Sequence, residues 1–228
     1  MSLPRPKSPE LPKNHAERNQ GRRLFVVLEN CGLETAKTRN RYELLVSDDH
    51  ASHLQHMNRD PSEARPDIVH QCLMTLLDSP LNKAGLLQVF LRTRRGVIIE
   101  VNPQLRIPRT FKRFAALMVQ LLHKLSIRAA DGPDKLLKVI KSPIEQHLPP
   151  GAPKVLCSYS AGECINIFDY ARKLPDTEPV VFIVGGHAHG KVDIDYNTSE
   201  IAISEYPMSG AGCLSRVLTA FEMKYGVL

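Results

Sequence analysis

Ile183-Val-Gly-Gly-His-Ala-His-Gly-Lys191, read together with Ile203-Ser-Glu-Tyr-Pro-Met-Ser-Gly-Ala-Gly212, decides the fold of this chain. A short apolar run, Val180 to Val184, stops at Gly185-Gly186, and a second, Glu200 to Ile203, stops at Tyr206-Pro207. A small-residue segment then opens into a helical pattern from about Gly210 to Tyr225. Two strand ends that bring tight glycine-bearing loops together are how an α/β domain builds a ligand crevice. Glycine lets the backbone N–H and C=O groups of such loops approach a ligand closely. A dinucleotide fold puts its glycine fingerprint after the first strand, whereas here the loops come last.

Working outward, the 228 residues are 43% hydrophobic, enough to bury one full core. A net charge of +6 is compatible with a solvated surface or with a polyanionic partner. No apolar run approaches the roughly 18 residues needed to span a membrane, and no signal-peptide pattern opens the chain. The five cysteines, Cys31, Cys72, Cys157, Cys164 and Cys213, are scattered and show no C-x-x-C pair. A disulfide framework and a zinc site are therefore not expected, and a reducing compartment is.

Residues 1–21 carry four prolines and no periodicity and read as a disordered basic tail; residues 22–228 read as one domain. Arg22 to Leu28 is β-rich, 29–40 reads as loop or short helix, and Tyr42 to Val46 is a second apolar segment. Asp67 is placed to cap a helix over Ile68–Leu77. Leu86–Thr93 and Val97–Val101 flank Arg94-Arg-Gly96 as a hairpin. Thr110 is placed to cap a long helix to about Leu125, with Phe114, Leu117, Met118, Leu121, Leu122 and Leu125 on its inner face. Arg128 to Lys141 reads as a basic polar stretch, Lys154–Ser158 as a strand and Cys164–Leu174 as a helix. Strands alternating with helices predict an α/β fold with a largely parallel sheet.

Arg106, Arg109 and Arg113 are spaced by three and four residues at the approach to the long helix, and Arg65 precedes the other helix start. Arginine forks match phosphate oxygens and stack on bases, so this set suits an RNA backbone; a solvated, salt-bridged face explains the pattern equally well. A carboxylate next to an arginine is a poor general base, so Asp67 is expected to cap its helix and orient Arg65, or to cap alone. His50, His53 and His56 recur every three residues, but i and i+6 do not share a helical face and no fourth ligand is evident, so no metal is expected. His187 and His189, pointing apart, are expected to shape the glycine loop. That loop has Val192 where a phosphate-binding loop needs Ser or Thr, and it lacks G-x-G-x-x-G. Ser158 and Ser160 sit in no nucleophile elbow.

Arg65-Pro-Asp-Ile-Val-His-Gln-Cys72, Asp78-Ser-Pro-Leu-Asn-Lys-Ala-Gly-Leu-Leu-Gln-Val89, Glu100-Val-Asn-Pro-Gln-Leu-Arg-Ile-Pro-Arg-Thr-Phe111 and Leu121-Leu-His-Lys-Leu-Ser-Ile-Arg-Ala-Ala-Asp-Gly-Pro133 carry a specific likeness. The chain resembles the eukaryotic ribosome-biogenesis pseudouridine-N1 methyltransferases of the SPOUT class over nearly all of 22–228. The resemblance implies a trefoil-knotted α/β domain, against the usual absence of knots, with S-adenosylmethionine bent against the knot. It implies a homodimer that methylates N1 of a pseudouridine in a small-subunit rRNA hairpin and works with small-subunit assembly factors in the nucleolus.

Carried over by resemblance, Cys157, Gly185 and Gly190, with Ile203, Ser204, Glu205, Tyr206, Pro207 and Met208, hold the cofactor. Arg65, Arg106, Arg109 and Arg113 contact RNA, and Asp67 steadies Arg65. The chain departs from the family pattern at Gly186-His187, at Ser209-Gly-Ala-Gly212 and across Ser158–Pro179. No side chain stands out as the base for the N1 proton, which leaves water or a backbone group. The alternative is a non-catalytic rRNA-binding assembly factor that uses the knotted fold as scaffold.

Overall fold

The computed structural model describes residues 12, 15–38, 41–130 and 132–227. Most of the tail predicted over 1–21 lies outside the described residues, as does Asp131; what is described includes a short helix α1 (His15–Arg18). The chain then forms β1 (Leu24–Cys31), β2 (Thr35–Thr38), β3 (Arg41–Leu44), α2 (Ser47–His56), α3 (Pro66–Asp78), α4 (Pro80–Lys83), β4 (Leu87–Thr93) and β5 (Ile98–Val101). It continues through α5 (Phe111–Lys124), β6 (Ser126–Arg128), β7 (Lys135–Ile140), β8 (Lys154–Cys157), α6 (Ile167–Lys173), β9 (Val180–Gly185), β10 (Ser199–Ile201) and α7 (Gly210–Tyr225).

Eight strands form the main sheet in the order β10-β8-β9-β1-β4-β5-β7-β6. The first five of that order run parallel, and β5, β7 and β6 add antiparallel. Central strand β1 is covered on both faces, which is why Leu24-Phe-Val-Val-Leu28 is an unbroken apolar run with every residue at 0% exposure. Its period-2 alternation divides the interior. Leu24, Val26 and Leu28 face a helical layer that includes Leu73, Leu76, Phe114, Ile167, Val217 and Phe221. Phe25 and Val27 face the other way, onto Phe90, Leu148, Val181, Ile183 and Val192. That second face is closed by irregular segments, including the stretch after β9, so the glycine loop is also a core element.

Helix α7 lies in the helical layer, with Phe221 edge-on to Phe182 of β9 at 5.5 Å between ring centroids. It starts with Ser209, whose hydroxyl accepts from the Gly212 N–H at 3.1 Å. It ends at Gly226, φ +66°, whose N–H reaches the carbonyls of Glu222 and Met223.

Several sequence expectations shift. Residues 35–38 are not loop or helix but a strand paired with β3, because cross-strand hydrogen bonds decide a short polar segment that has no apolar signature. The basic stretch 128–141 starts on the last residue of β6 and holds β7, in which Lys135 and Lys138 are exposed while Leu137 is buried. Helix α6 starts only at Ile167 because the Asn166 side chain caps it; Cys164 instead bridges to Ala202. Leu125 is not on the buried face of α5: it is a left-handed C-cap, φ +61°, and is exposed.

Candidate functional site

A cavity of about 570 Å³ opens at the carboxyl ends of β8, β9 and β10. Ligands of open α/β sheets bind at such strand ends. Its walls come from the turn Cys157–Ser160, from Val184, Gly185 and the loop His187–Val192, from Ile203, Ser204, Tyr206 and Met208, and from Gly210 and Cys213 of α7. Seven of the nine predicted cofactor residues line it: Cys157, Gly185, Gly190, Ile203, Ser204, Tyr206 and Met208. Glu205 and Pro207 do not. Tyr206 donates its N–H to the Ser204 hydroxyl at 3.0 Å, a local turn that alternates which residues face the cavity.

The glycines have physical causes. A Cβ on Gly185 would stand 2.8 Å from Cε1 of His187 and 3.1 Å from Cγ2 of Val192. Gly210 packs onto the end of β9, where a Cβ would lie 3.1 Å from the Gly185 carbonyl oxygen. The chain therefore leaves β9, crosses to β10 on the far side of β8, and returns through α7 to pack on the end of β9. Gly190 adopts φ +99°, the left-handed region.

His187 and His189 both line the cavity, as does Ala188 between them. Nε2 of His187 lies 3.1 Å from the Gly190 carbonyl and so carries its proton, which leaves the buried Nδ1 as a bare acceptor without a partner. Lys191 pairs with Glu200 at 3.2 Å. The residues fit an adenosyl ligand: apolar surface from Val184, Ile203 and Met208, and backbone free of side chains at the glycines. Ser158, Tyr159, Ser160, Lys191 and Cys213 also line it and were not predicted. The signal available for the first three was that they follow a strand parallel to β9.

Arg65 stands at the same end of the sheet. A Cβ on Gly32, just past β1, would come 3.0 Å from the Arg65 nitrogen, and one on Gly186 would come 2.8 Å from Sγ of Cys31. The Gly186 N–H donates to the Glu29 carbonyl at 2.6 Å. The glycine loop, the end of β1 and Arg65 are thus in consecutive contact. Asp67 does not cap α3; Pro66 takes the first helical position, Arg65 is the N-cap, and no side chain caps it. The Asp67 carboxylate instead accepts from Nε and Nη2 of Arg65 at 2.8 and 2.7 Å. That hydrogen bond holds the carboxyl below its usual range and raises the guanidinium.

Arg109 makes a two-pronged pair with Asp78, the last residue of α3. The guanidiniums of Arg65 and Arg109 therefore sit near opposite ends of α3, whose 13 residues span about 20 Å. Arg106 and Arg113 are exposed. Thr110 is the N-cap residue of α5 without a side-chain cap bond. The approach segment is held instead by two side chains that sequence reasoning missed. His70, stacked on Phe114 at 4.5 Å, donates from Nε2 to the Pro108 carbonyl at 2.7 Å, and Asn82 donates to the Pro103 carbonyl at 3.0 Å. Among the described residues no group of three or more His, Cys, Asp or Glu could hold a metal ion, and no helix is long and apolar enough to cross a membrane.

A crevice at the carboxyl ends of parallel strands, closed by a glycine loop and a returning C-terminal helix, defines a SPOUT-type α/β methyltransferase domain. Comparison with known proteins gives the particular family. The EMG1/NEP1 methyltransferase profile matches residues 26–222, and the chain belongs to that family. Ribosomal RNA small subunit methyltransferase NEP1 of Mus musculus is 56% identical over 208 residues, covering 91% of this chain and 84% of the mouse protein. The Drosophila melanogaster protein of the same name is 51% identical, with 91% and 84% covered. The crystal structure of Archaeoglobus fulgidus Nep1 bound to S-adenosylhomocysteine superposes with a TM-score of 0.72 at 24% identity, over 90% of this chain and 99% of that one. At that identity the likeness speaks to the fold.

Proposed function

We propose that this chain transfers a methyl group from S-adenosylmethionine to small-subunit ribosomal RNA, at ring nitrogen N1 of a pseudouridine in a hairpin. The observation that carries the reading is that the glycine-loop cavity and the Arg65–Asp67 pair share one end of the sheet, joined through Gly186, Cys31 and Gly32. The names of the relatives support ribosomal RNA as the substrate class. The resemblance of Arg65–Cys72 and Glu100–Phe111 supports the pseudouridine, a homodimer and work beside small-subunit assembly factors in the nucleolus.

The donor, when bound, supplies a methyl activated by a positively charged sulfur. The chain's own residues do the positioning. The backbone at Gly185 and Gly190 and the apolar side chains of Ile203 and Met208 hold the ligand. Arg65, Arg106, Arg109 and Arg113 bind phosphates, and the target base leaves its stack for the cavity mouth, where Tyr159 and Tyr206 are exposed. Methyl transfer needs its reacting groups held in line, and these residues would supply that positioning. The N1 proton passes to water or a backbone group.

The test uses a methyl-labelled donor and matched hairpins carrying pseudouridine, uridine or N1-methylpseudouridine. Label is expected in the pseudouridine hairpin alone. Tight RNA binding with no label in any hairpin overturns the proposal in favour of a non-catalytic assembly role.

A further inference from the structure

The turn between β4 and β5, Arg94-Arg-Gly96, carries two guanidiniums that the proposed mechanism does not use. The Arg94 N–H donates to the Cys31 carbonyl at 3.2 Å, so the turn abuts the end of β1. Two further contacts converge there. Gly186 of the glycine loop packs on Cys31, and the Arg65 backbone packs on Gly32. We propose that Arg94 and Arg95 bind phosphates of the RNA strand within a few nucleotides of the target base, extending the RNA surface across β1 to the β4–β5 turn. The RNA and its target base are those of the functional reading above, on which this surface rests.

An ion-pair chain holds both arginines. Arg95 pairs with Glu34, which also pairs with Arg59 at 2.9 Å. Arg59 reaches Glu63 at 3.4 Å, and Glu63 pairs with Arg94 at 2.9 Å. Charge alternates along this chain, and both of its ends are guanidiniums of the turn. Three cations meet two anions, so the chain keeps a net positive charge. Exposed ion pairs of this kind add little stability. They do fix position: like Asp67 on Arg65, each carboxylate sets a fork before a ligand arrives. A guanidinium has five N–H donors, more than one carboxylate engages. The Arg95 side chain is 68% exposed and that of Arg94 34%, so both can meet a ligand. The turn itself is tight: Gly96 takes φ +77° and donates to the Thr93 carbonyl at 2.8 Å.

The place of the turn on the sheet selects the partner. The cavity lies at the carboxyl ends of β10, β8 and β9, and the strand order continues through β1 to β4 and β5. Neighbouring strands are about 4.8 Å apart, so the end of β4 lies about 10 Å from the end of β9. Glu63, which holds Arg94, is two residues from Arg65, a backbone span of at most about 7 Å. The turn therefore continues the arginine set that begins at Arg65, on the side of β1 away from the cavity. Guanidinium forks match phosphate oxygens. An acidic protein segment offers scattered carboxylates, whereas a nucleic-acid strand with one base in the cavity mouth carries an anion at every step along this edge.

The experiment uses the full chain and a pseudouridine hairpin in which single phosphates near the target are replaced by uncharged methylphosphonates. The parent, Arg94→Gln with Arg95→Gln, and Arg94→Lys with Arg95→Lys are compared by fluorescence anisotropy across salt concentrations. The glutamine variant is expected to bind the unmodified hairpin about tenfold or more weakly, with the slope of log K against log salt reduced by about 1.4–1.8. The lysine variant, which keeps both charges, should keep the slope. Close to the target, methylphosphonate at one or more phosphates should weaken the parent and leave the glutamine variant unaffected. Affinity for S-adenosylhomocysteine should stay within a factor of about two in both variants, because the turn is not part of the cavity wall. Parent-like RNA affinity and slope in the glutamine variant overturn the proposal and leave the patch to an acidic protein segment. A loss that maps to no particular phosphate overturns it too. If the hairpin binds and maps as expected but accepts no methyl group, the functional reading fails and the surface stands. If the hairpin is methylated and the phosphate map is flat, the surface alone fails.

Discussion

Asp67 grips Arg65 with both carboxylate oxygens, at 2.8 and 2.7 Å, although only Pro66 separates them in sequence. The guanidinium is thereby fixed at the head of α3 with an unused edge toward solvent, half-exposed. Asp67→Asn should release it. RNA affinity is expected to fall about three- to tenfold, and the loss of a first-turn carboxylate to cost roughly 0.3–1 kcal/mol. Because Arg65 depresses the Asp67 pKa, the pair contributes fully above about pH 4 and fades as the pH falls through the lowered value. Denaturation of parent and Asp67→Asn against pH should give curves that differ at pH 6 and converge toward pH 2. Parallel curves would remove the pair from the account.

Gly185→Val should close the cavity from inside. Even the Cβ would meet the His187 ring at 2.8 Å and Val192 at 3.1 Å. The ring can swing away, so the domain is expected to fold with a loss of about 1–3 kcal/mol. S-adenosylhomocysteine affinity should drop more than tenfold by calorimetry. Undiminished affinity would place the ligand elsewhere.

His70 anchors the Pro108 carbonyl, next in sequence to Arg109. His70→Phe preserves stacking on Phe114 but leaves that carbonyl unpaired. We expect RNA binding to weaken severalfold while S-adenosylhomocysteine affinity stays within a factor of about two, with a stability cost of about 1–3 kcal/mol. Equal losses for both ligands would mean that the substitution had disturbed the whole domain.

Arg106 is exposed at the approach to α5. If it neutralises one phosphate, Arg106→Ala should reduce the slope of log K against log salt by about 0.7–0.9. Filter binding at four salt concentrations measures it, and an unchanged slope would take Arg106 out of the interface.

Tyr196 donates its hydroxyl to the carboxylate of Glu29, a side chain only 2% exposed at the end of β1. Burial and that carboxylate raise the Tyr196 pKa, so the phenol stays a donor across the working pH range. Tyr196→Phe deprives a buried carboxylate of its donor and should cost about 1–3 kcal/mol in a denaturant titration. A change under about 0.3 kcal/mol would show that Arg92 compensates, since it already stands 3.5 Å from the same carboxylate.

Long apolar patterns were legible without coordinates. Helices α3, α5 and α7 and strands β1, β4, β5, β8 and β9 fall within a few residues of their expected places, because burial imposes a period on side chains. The glycine loop was legible for a different reason: Gly185 and Gly210 stand where a Cβ would meet His187, Val192 or the β9 backbone. Segments such as Thr35–Thr38 and Ser126–Arg128 were not, because their strand state comes from a neighbour's hydrogen bonds. Asp67 and Thr110 were read as side-chain caps from a local rule that matched their positions. Arg65 and Pro66 overrode it at α3, and at α5 the Thr110 side chain makes no cap bond.

By itself the sequence determined the α/β class, the family likeness, the glycine loops and the arginines, since each depends on residue type and spacing along the chain. Only the tertiary structure decided which of these meet. It set Arg109 against Asp78, His70 under Pro108, and Arg65 beside the end of β1. Those contacts join residues from 31 to 38 positions apart, and no local pattern encodes them. They arise when the helical layer and the sheet pack as one core.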